Sequence, residues 1–410
     1  MTARPIVVMK FGGTSVADAT GREALSRRVQ ATLEVGHAPV VVVSAMGRKG
    51  APYATDSLLG LVAGLPADDR ERDLLAATGE IVSAVVVAHE LRATGIAASA
   101  LSGPEAGIFT DDVRGSATIT EIHTSALHAL LATDRVPVVA GFQGMAQDGS
   151  LTTLGRGGSD TTACALGVAL GAQAVEIYTD VDGVMTADPR ACESATVLDV
   201  IGADELFQMA RHGSRVVHTP AAELALGSGL AVRVKNTFSA HPGTLVADLR
   251  TYAPAGVATA VSHATGTSRF VVALSAAEGS LEHTQAQTAV YAALADAGVS
   301  LDMFTPCGSS LVFTVAVSQV AATETALTAL GRAWTLRDDL AKVTLVGAGM
   351  HGVPGVMARV AECLAGAAVR VLQTADSHTT ISVLIPAEDL AAAIDALHDE
   401  FELGGSAGGV

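Results

Sequence analysis

A lysine followed by two glycines lies at the end of the first apolar run of the chain. The run Ile6–Met9 predicts a β-strand, and Lys10, Phe11, Gly12 and Gly13 follow it directly. Backbone N–H groups of glycine can approach an anion closely, and the lysine adds a positive charge beside them. The motif therefore suits the phosphate end of a nucleotide, although it is not a Walker A loop, in which the lysine follows the glycines. The alternative interpretation is a tight turn beside a solvated lysine.

A second glycine-rich segment, Gly155–Asp160, surrounds an arginine with three glycines. It precedes a run of small residues, Ala163–Gly171, that predicts a helix. Oriented N–H groups at a helix N-terminus, together with the guanidinium of Arg156, suit a carboxylate or a phosphate. The alternative is that Ser159 or Asp160 caps this helix after a flexible loop, which leaves the glycines unexplained.

Polar residues interrupt or end other apolar stretches. Glu80 lies within Arg70–Thr94, a stretch with apolar residues at helical spacing, and taken alone it would lie on the solvated face of that helix. Ser44 ends the strand-like run Pro39–Val43, and Thr55 follows in the next loop. Taken alone, both are ordinary loop residues.

A third polar segment follows the strand-like run Ala174–Tyr178. Thr179 and Asp180 open it, and Asp188 and Arg190 close it. Ligands of open α/β sheets lie beyond the carboxyl ends of the strands, so this turn is a candidate binding segment. Its aspartates and glycine do not have the offsets of a calcium loop, and no metal ligand set is expected.

The composition predicts a folded chain and excludes some partners. Of 410 residues, 49% are hydrophobic and only 16% are charged, which is typical of globular domains. The net charge of −17 argues against nucleic acid and anionic membranes as partners. There are only four lysines, so anionic substrates must be held by a few placed cations. The four cysteines are widely spaced, so we expect them to be buried small hydrophobic residues in a reducing compartment. The start of the chain lacks the pattern of a signal peptide and no membrane span is expected, so we expect a cytoplasmic protein.

Apolar runs and helical patterns alternate through residues 1–250. This alternation predicts an α/β domain with a mostly parallel sheet covered on both faces. A turn-rich stretch over 241–256 marks the expected boundary. Beyond it, Ala293–Asp302 and Cys363–Leu372 share the pattern of a helix end, a small-residue turn and a strand, which predicts two similar units.

The order of the motifs resembles the aspartate kinases of the amino-acid kinase family, over nearly the whole chain. The resemblance rests on the segments 10–16, 42–47, 79–80, 141–144, 155–160 and 178–184. The segments 47–61 and 375–382 look most like the Bacillus-type monofunctional enzymes. The resemblance implies a three-layer amino-acid kinase fold over 1–250, followed by two ferredoxin-like (βαββαβ) ACT regulatory units at 256–340 and 341–410. A leading strand at 256–264 is expected to join the second ACT unit.

The resemblance implies transfer of a phosphoryl group from MgATP to the β-carboxylate of L-aspartate, the first step of lysine, threonine and methionine biosynthesis through diaminopimelate. Lys10 would neutralise the phosphoryl group and Asp160 would orient Lys10. The implied aspartate-binding residues are Ser44, Thr55, Glu80, Arg156, Gly157, Gly158 and Ser159. The implied ATP-binding residues are Lys10, Phe11, Gly12, Gly13, Thr179, Asp180, Met185, Asp188, Pro189, Arg190 and Arg215. The β-carboxylate is already ionised at pH 7, so no general base is required.

Two positions depart from the family pattern. Arg215 lies where the family often has a lysine, and Ala221 replaces the usual arginine. A guanidinium keeps the charge but changes the geometry. Neither position belongs to the central set of motifs, so activity is expected with a nucleotide pocket that departs from the family pattern at these two residues.

The resemblance also implies regulation and assembly. A feedback amino acid would bind between the ACT units, and lysine or diaminopimelate is expected in preference to threonine. The candidate binding residues are Asp302, Thr305, Val353, Pro354, Asp376 and Ser377. A homodimer through the ACT units is expected. The alternatives are another amino-acid kinase, acting on glutamate, acetylglutamate or UMP, and a non-catalytic amino-acid sensor.

Overall fold

The computed structural model describes residues 4–66, 68–214, 225–247, 256–274, 277–350 and 352–405. The chain divides into two compact units. The first contains residues 1–184, 197–210 and 215–253, and the second contains residues 185–196, 211–214 and 254–410.

The first unit is built on an eight-stranded sheet in the order β10-β12-β11-β9-β1-β2-β6-β3. All neighbouring strands are parallel except β11 and β12. The central strands consist largely of valine and isoleucine, whose branched side chains favour extended backbone. The strands are β1 (Ile6–Phe11), β2 (Ala38–Val43), β3 (Ala98–Leu101), β6 (Val136–Ala140), β9 (Ala174–Thr179), β10 (Val200–Gly202), β11 (Ala231–Asn236) and β12 (Thr244–Ala247).

Helices of the first unit cover both faces of this sheet. Alternate residues of β1 point to opposite sides: Val7 and Met9 belong to a core cluster that includes side chains of α2 and α4, whereas Val8 faces Gly167 of α6. This confirms the expected α/β fold with a mostly parallel central sheet. The helices are α1 (Gly13–Val16), α2 (Ala19–Glu34), α3 (Thr55–Gly60), α4 (Asp69–Ala93), α5 (Ser125–Leu131), α6 (Gly158–Ala169) and α7 (Ala203–Arg211).

A small four-stranded sheet in the order β5-β4-β7-β8 packs beside α4. Its strands β7 and β8 form an antiparallel hairpin, with Gln143 opposite Thr153. The strands are β4 (Ile108–Thr110), β5 (Ile119–Ile122), β7 (Gln143–Met145) and β8 (Leu151–Thr153).

Helix α4 is long and apolar enough, by length and composition, to cross a membrane. Half of its most apolar window is buried inside the protein, and its buried residues include Asp73 and Glu80. It contacts β2, β3, β6 and β8, so it is packed as a core helix of the first unit.

The second unit contains one continuous sheet in the order β14-β15-β13-β16-β18-β17. Its two longest strands run side by side and antiparallel: Ala260 lies opposite Val346 at one end, and Val272 lies opposite Trp334 at the other. One half of β13 also pairs with β15, and one half of β16 pairs with β18. The strands are β13 (Ala260–Ala273), β14 (Asp302–Cys307), β15 (Ser310–Ala316), β16 (Trp334–Val346), β17 (Gln373–Asp376) and β18 (Thr380–Pro386).

Each half of the second unit has its own hydrophobic core. One half contains α8 (Leu281–Asp296) and α9 (Val320–Ala329), and the other contains α10 (Val356–Gly366) and α11 (Leu390–Glu400). Of the four cysteines, which we expected to be buried, Cys307 is exposed because it lies at the end of the edge strand β14.

Candidate functional site

Lys10 and Asp160 form a close ion pair in the first unit. Lys10 is on β1 and Asp160 is in the first turn of α6, and Lys10 Nζ lies 2.6 Å from Asp160 Oδ1. Their side chains are 13% and 10% exposed, so the pair is largely shielded from water. The structure thus brings together the two residues that were expected to be catalytic.

The glycines after Lys10 form a tight turn into α1. The N–H of Gly12 donates to the carbonyl of Tyr178 at 3.2 Å, so this donor is already occupied, contrary to the expectation that it faces a phosphate. Gly13 opens α1, and a Cβ there would lie 2.5 Å from the carbonyl oxygen of Gly47. Only glycine fits at this position, and the first N–H groups of a helix have no partner within it. Phe11 is fully buried and stacks on Tyr178, so its side chain belongs to the core.

Glu80 lies inside the protein, not on the solvated face of α4. It is 3% exposed, and its Oε1 accepts the N–H of Ala45 at 3.1 Å. Among the described residues its Oε2 has no hydrogen-bond partner. Burial raises the pKa of this carboxyl from 4.5 to about 7, against the lowering effect of the Ala45 N–H. A buried carboxylate with a free oxygen is a strong binding point for a cation.

Gly79 explains how α4 comes so close to the loop after β2. A Cβ at Gly79 would lie 2.8 Å from the Tyr53 carbonyl oxygen and 2.9 Å from the Ala45 Cβ. Ser44 follows β2 directly, and its N–H donates to the carbonyl of Phe11. Thr55 opens α3, which contacts α4. Ser44 and Thr55 are both half-buried polar residues. They flank the segment 45–53, which packs against Gly79 of α4.

Arg156 lies in a glycine turn between β8 and α6. The N–H of Gly158 donates to the carbonyl of Gly155 at 3.0 Å, and Gly155 and Gly157 both have φ of +72°, which favours glycine. The Arg156 side chain is exposed. Gly157 precedes α6 without a side-chain cap, so capping by Ser159 or Asp160 is wrong. Both lie in the first turn of the helix.

Phe142 packs against the start of α6, and it was not among the site residues expected from the sequence. It has φ of +69°, which is costly for a residue with a bulky side chain, and its carbonyl accepts the N–H of Leu154. A Cβ at Gly158 would lie 2.7 Å from the Phe142 ring, and a Cβ at Gly141 would lie 2.9 Å from Ser159. The segment 141–142 therefore packs directly against the first turn of α6. The motif at 141–144 was visible in the sequence, but the positive φ was not.

Thr179 and Asp180 follow β9, next to β1 in the sheet. Asp180 Oδ2 pairs with the guanidinium of Arg48 at 2.7 Å, and both side chains are exposed. Thr179 Oγ1 donates to Asp180 Oδ1 at 3.1 Å. Because β1 and β9 are parallel, their carboxyl ends, with Lys10 on one and Thr179 on the other, meet at one edge of the sheet.

The other expected nucleotide residues belong to the second unit or lie outside the described residues. Asp188 binds Arg190 through two side-chain contacts of 3.0 and 2.7 Å and accepts its backbone N–H at 2.9 Å. These hydrogen bonds from Arg190 lower the pKa of Asp188. Met185 is half-buried and Pro189 is exposed. Arg215 lies outside the described residues.

The expected effector residues lie on the second unit. Asp302 and Thr305 are on β14 and Asp376 is on β17, followed by Ser377, and all four are exposed. Asp302 forms an ion pair with Lys342, a largely buried residue. Val353 and Pro354 are exposed residues that precede α10.

The two edge strands that carry these residues meet. The side-chain amide of Gln373, on β17, donates to the carbonyl of Met303 on β14. The structure thus joins the strands that carry Asp302 and Asp376.

Two family models match the chain. The amino acid kinase family matches residues 5–236, and an ACT domain matches residues 335–399. Aspartokinase 1 of Bacillus subtilis (strain 168) is 42% identical over 405 residues, which is 97% of this chain and 99% of that protein.

Two solved structures of E. coli aspartokinase III are similar over 97% of this chain, at 25% identity. The complex with aspartate and ADP (R-state) aligns with a TM-score of 0.73 over 100% of that chain, and the complex with lysine and aspartate (T-state) with 0.76 over 99%. The amino acid kinase match includes the segments that carry Lys10, Glu80 and Arg156. The chain belongs to the amino acid kinase family and, within it, to the aspartokinases.

Proposed function

We propose that this chain transfers the γ-phosphoryl group of ATP to the β-carboxylate of L-aspartate, giving 4-phospho-L-aspartate and ADP. The observation that carries the proposal is Glu80, a buried carboxylate with one oxygen unpartnered among the described residues. An amino-acid substrate brings an ammonium group that can pair with such an oxygen, whereas a nucleotide acceptor such as UMP brings none. This reaction opens the biosynthesis of lysine, threonine and methionine.

The aspartate backbone would be held by one anion and one cation. Glu80 binds the α-ammonium, and Arg156 binds the α-carboxylate through its planar guanidinium. The exposed Arg156 side chain and the glycine turn beneath it support this assignment. Ser44, Thr55 and Ser159 add neutral hydrogen bonds, and Gly157 and Gly158 let the backbone approach the substrate.

The transferring phosphoryl group would lie at the end of β1. Lys10 neutralises its charge and Asp160 orients Lys10, as their 2.6 Å contact supports. Gly13 is the better placed of the two glycines to offer an N–H, because that of Gly12 is bonded to Tyr178. The β-carboxylate is the nucleophile and is already ionised, so the residues need only align the reactants and neutralise charge.

The nucleotide would extend from Lys10 toward the end of β9. Thr179 and Asp180 follow that strand, and we assign them to the nucleotide together with Met185, Asp188, Pro189, Arg190 and Arg215. The Phe11 side chain is in the core, so this residue contributes its backbone only.

Mg²⁺ would be bound mainly by the nucleotide phosphates. Within the described residues there is no group of three or more His, Cys, Asp or Glu side chains arranged to hold a metal. Mg²⁺ in phosphoryl-transfer sites is commonly bound by one or two carboxylates plus the phosphates, which fits Asp160 as the nearby carboxylate. When bound, Mg²⁺ would add positive charge to the phosphates, and Asp160 would keep Lys10 beside them.

Regulation would act through the second unit. We propose that a feedback amino acid binds there, lysine or diaminopimelate in preference to threonine. The proposed binding residues are Asp302, Thr305, Val353, Pro354, Asp376 and Ser377. The junction of β14 and β17 through Gln373 supports a site there. To test this regulation, each amino acid is added at millimolar concentration, singly and in pairs, and the rate of aspartate phosphorylation is measured. A rate that none of them changes contradicts the proposal.

The proposal also includes the domain bounds, the oligomeric state and the location of the enzyme. We propose a catalytic domain over 1–250 and ACT units at 256–340 and 341–410, a homodimer formed through the ACT units, and a cytoplasmic location. Light scattering of the full chain and of a chain ending at residue 250 tests the dimer, which should be lost with the second unit.

The decisive experiment compares phosphoryl acceptors. ADP release is measured with ATP and, in turn, aspartate, glutamate, acetylglutamate and UMP. We expect turnover with aspartate and its loss in Lys10→Ala. Turnover with another acceptor only would favour a different amino-acid kinase, and turnover with none would favour an amino-acid sensor.

A further inference from the structure

Asp73 is a second buried carboxylate on α4, and the proposed reaction gives it no role. It is 3% exposed. Its Oδ1 and Oδ2 accept the N–H of Gly115 at 3.0 and 3.2 Å, and its Oδ1 accepts the hydroxyl of Thr153 at 2.5 Å. A carboxylate this buried is costly unless hydrogen bonds compensate it, so these contacts bind α4 firmly to both residues.

Both partners of Asp73 support the turn that carries Arg156. Thr153 ends β8, three residues before Arg156. Gly115 packs beneath the turn, because a Cβ at Gly155 would lie 3.1 Å from the Gly115 carbonyl oxygen. The N–H of Ala117 donates to the carbonyl of Thr153 at 2.8 Å and closes the contact between the two segments.

The same face of α4 carries Glu80. Asp73, Ala77 and Glu80 are spaced at i, i+4 and i+7, so they lie along one stripe over two helical turns, about 10 Å from end to end. In the middle of the stripe, the carbonyl of Ala77 accepts the side-chain amide of Gln143 at 3.0 Å. Gln143 is the residue opposite Thr153 in the β7–β8 hairpin. The β7–β8 hairpin is therefore hydrogen-bonded to α4 at two points, through Gln143 and through Thr153.

We infer that Asp73 is a positioning residue that sets the separation between Arg156 and Glu80. One helix carries Glu80 directly and holds the Arg156 turn through Asp73, so the separation of the two charges depends on the Asp73 contacts. This inference rests on the proposed function, because it takes Arg156 and Glu80 as the groups that bind those two charges. Asp73 itself touches no substrate.

The test replaces each side of the contact separately. Asp73→Asn keeps the size of the side chain but places an amide where a carboxylate accepts three hydrogen bonds. Thr153→Val removes only the hydroxyl, and Thr153→Ser restores it. Glu90→Gln is the matched control, since Glu90 is a carboxylate of the same helix that pairs with Arg22. For each variant the KM for aspartate, the KM for ATP, kcat and the melting temperature are measured.

Loss of positioning affects one substrate only. We expect Asp73→Asn to raise the KM for aspartate about tenfold and Thr153→Val to raise it severalfold, since small displacements of a binding group are costly. The KM for ATP stays within about twofold, and Thr153→Ser and Glu90→Gln behave as the wild type. The inference is overturned if both variants keep the wild-type KM for aspartate, or if the two KM values rise in parallel.

A second measurement separates this inference from the proposed function. Amide hydrogen exchange of residues 154–158 should be faster in Asp73→Asn and in Thr153→Val than in the wild type. If the wild type does not phosphorylate aspartate, the proposed function fails, and faster exchange then still supports Asp73 as the anchor of the turn. Unchanged exchange in both variants overturns the inference whatever the activity.

Discussion

Lys10 Nζ lies 2.6 Å from Asp160 Oδ1, which joins the end of β1 to the first turn of α6. This contact places the only lysine of β1 at the start of the helix that follows the Arg156 turn. In a chain with net charge −17, it keeps one positive charge at a defined point of an otherwise acidic protein. Two anionic substrates can meet only where such charges are held in place.

Replacing Lys10 should abolish catalysis without unfolding the protein. We expect Lys10→Ala to lower kcat by about a thousandfold, because a positive charge aimed at the transferring group is lost. Lys235→Ala is the matched control: Lys235 also forms a partly buried ion pair in the same sheet, 3.0 Å from Glu176. Steady-state kinetics should show near wild-type kcat for the control. Equal losses in both variants would assign Lys10 a structural role.

The affinity for aspartate should depend on pH near neutrality. Burial raises the pKa of Glu80 to about 7, and only the ionised form pairs with an ammonium. Below pH 7 we therefore expect kcat/KM for aspartate to fall, by about tenfold per pH unit at the limit. The profile is measured from pH 5.5 to 8.5 with saturating ATP. A flat profile would mean that Glu80 does not bind the ammonium.

Glu80→Gln should be more stable than the wild type at pH 8. The pKa of Glu80 is higher in the folded state than in the unfolded state, so the folded protein loses stability as the pH rises from 4.5 to about 7. Above pH 7 the cost amounts to about 3 kcal/mol, and a neutral amide avoids it. Urea unfolding at pH 8 and pH 5 measures the effect, which should shrink at pH 5. The variant should lose activity with aspartate, and a destabilised variant at pH 8 would refute the assignment.

Gly79→Ala should separate α4 from the loop after β2. The added methyl would lie 2.8 Å from the Tyr53 carbonyl oxygen and 2.9 Å from the Ala45 Cβ, which costs about 1–3 kcal/mol. Gly60→Ala is the control, because a Cβ at Gly60 meets no atom within 4 Å. Thermal unfolding should show a lower melting temperature for Gly79→Ala only, and its KM for aspartate should rise because Glu80 is displaced.

The sequence predicts the central strands well, because short valine-rich runs such as Pro39–Val43 are typical of buried parallel strands. It also places Lys10 and Asp160, since Lys10 precedes a glycine turn at the end of a strand and Asp160 follows one at the start of a helix. It cannot show that Glu80 is buried, because a glutamate in a helix usually faces water and only the packing of Gly79 against another chain segment reverses this. The positive φ of Phe142 has no sequence signal either, since the surrounding packing imposes it.

The two long strands β13 and β16 of the second unit are shared between its two halves. Residues 260–265 of β13 pair with residues 341–346 of β16, and residues 267–272 of β13 pair with β15 and with the other half of β16. A cut at 340 divides β16, and a chain that starts at 341 lacks its partner in β13 and exposes an unpaired edge that invites aggregation. Because the two halves share β13 and β16, we expect them to unfold together, so that a ligand that stabilises either half raises the unfolding free energy of both.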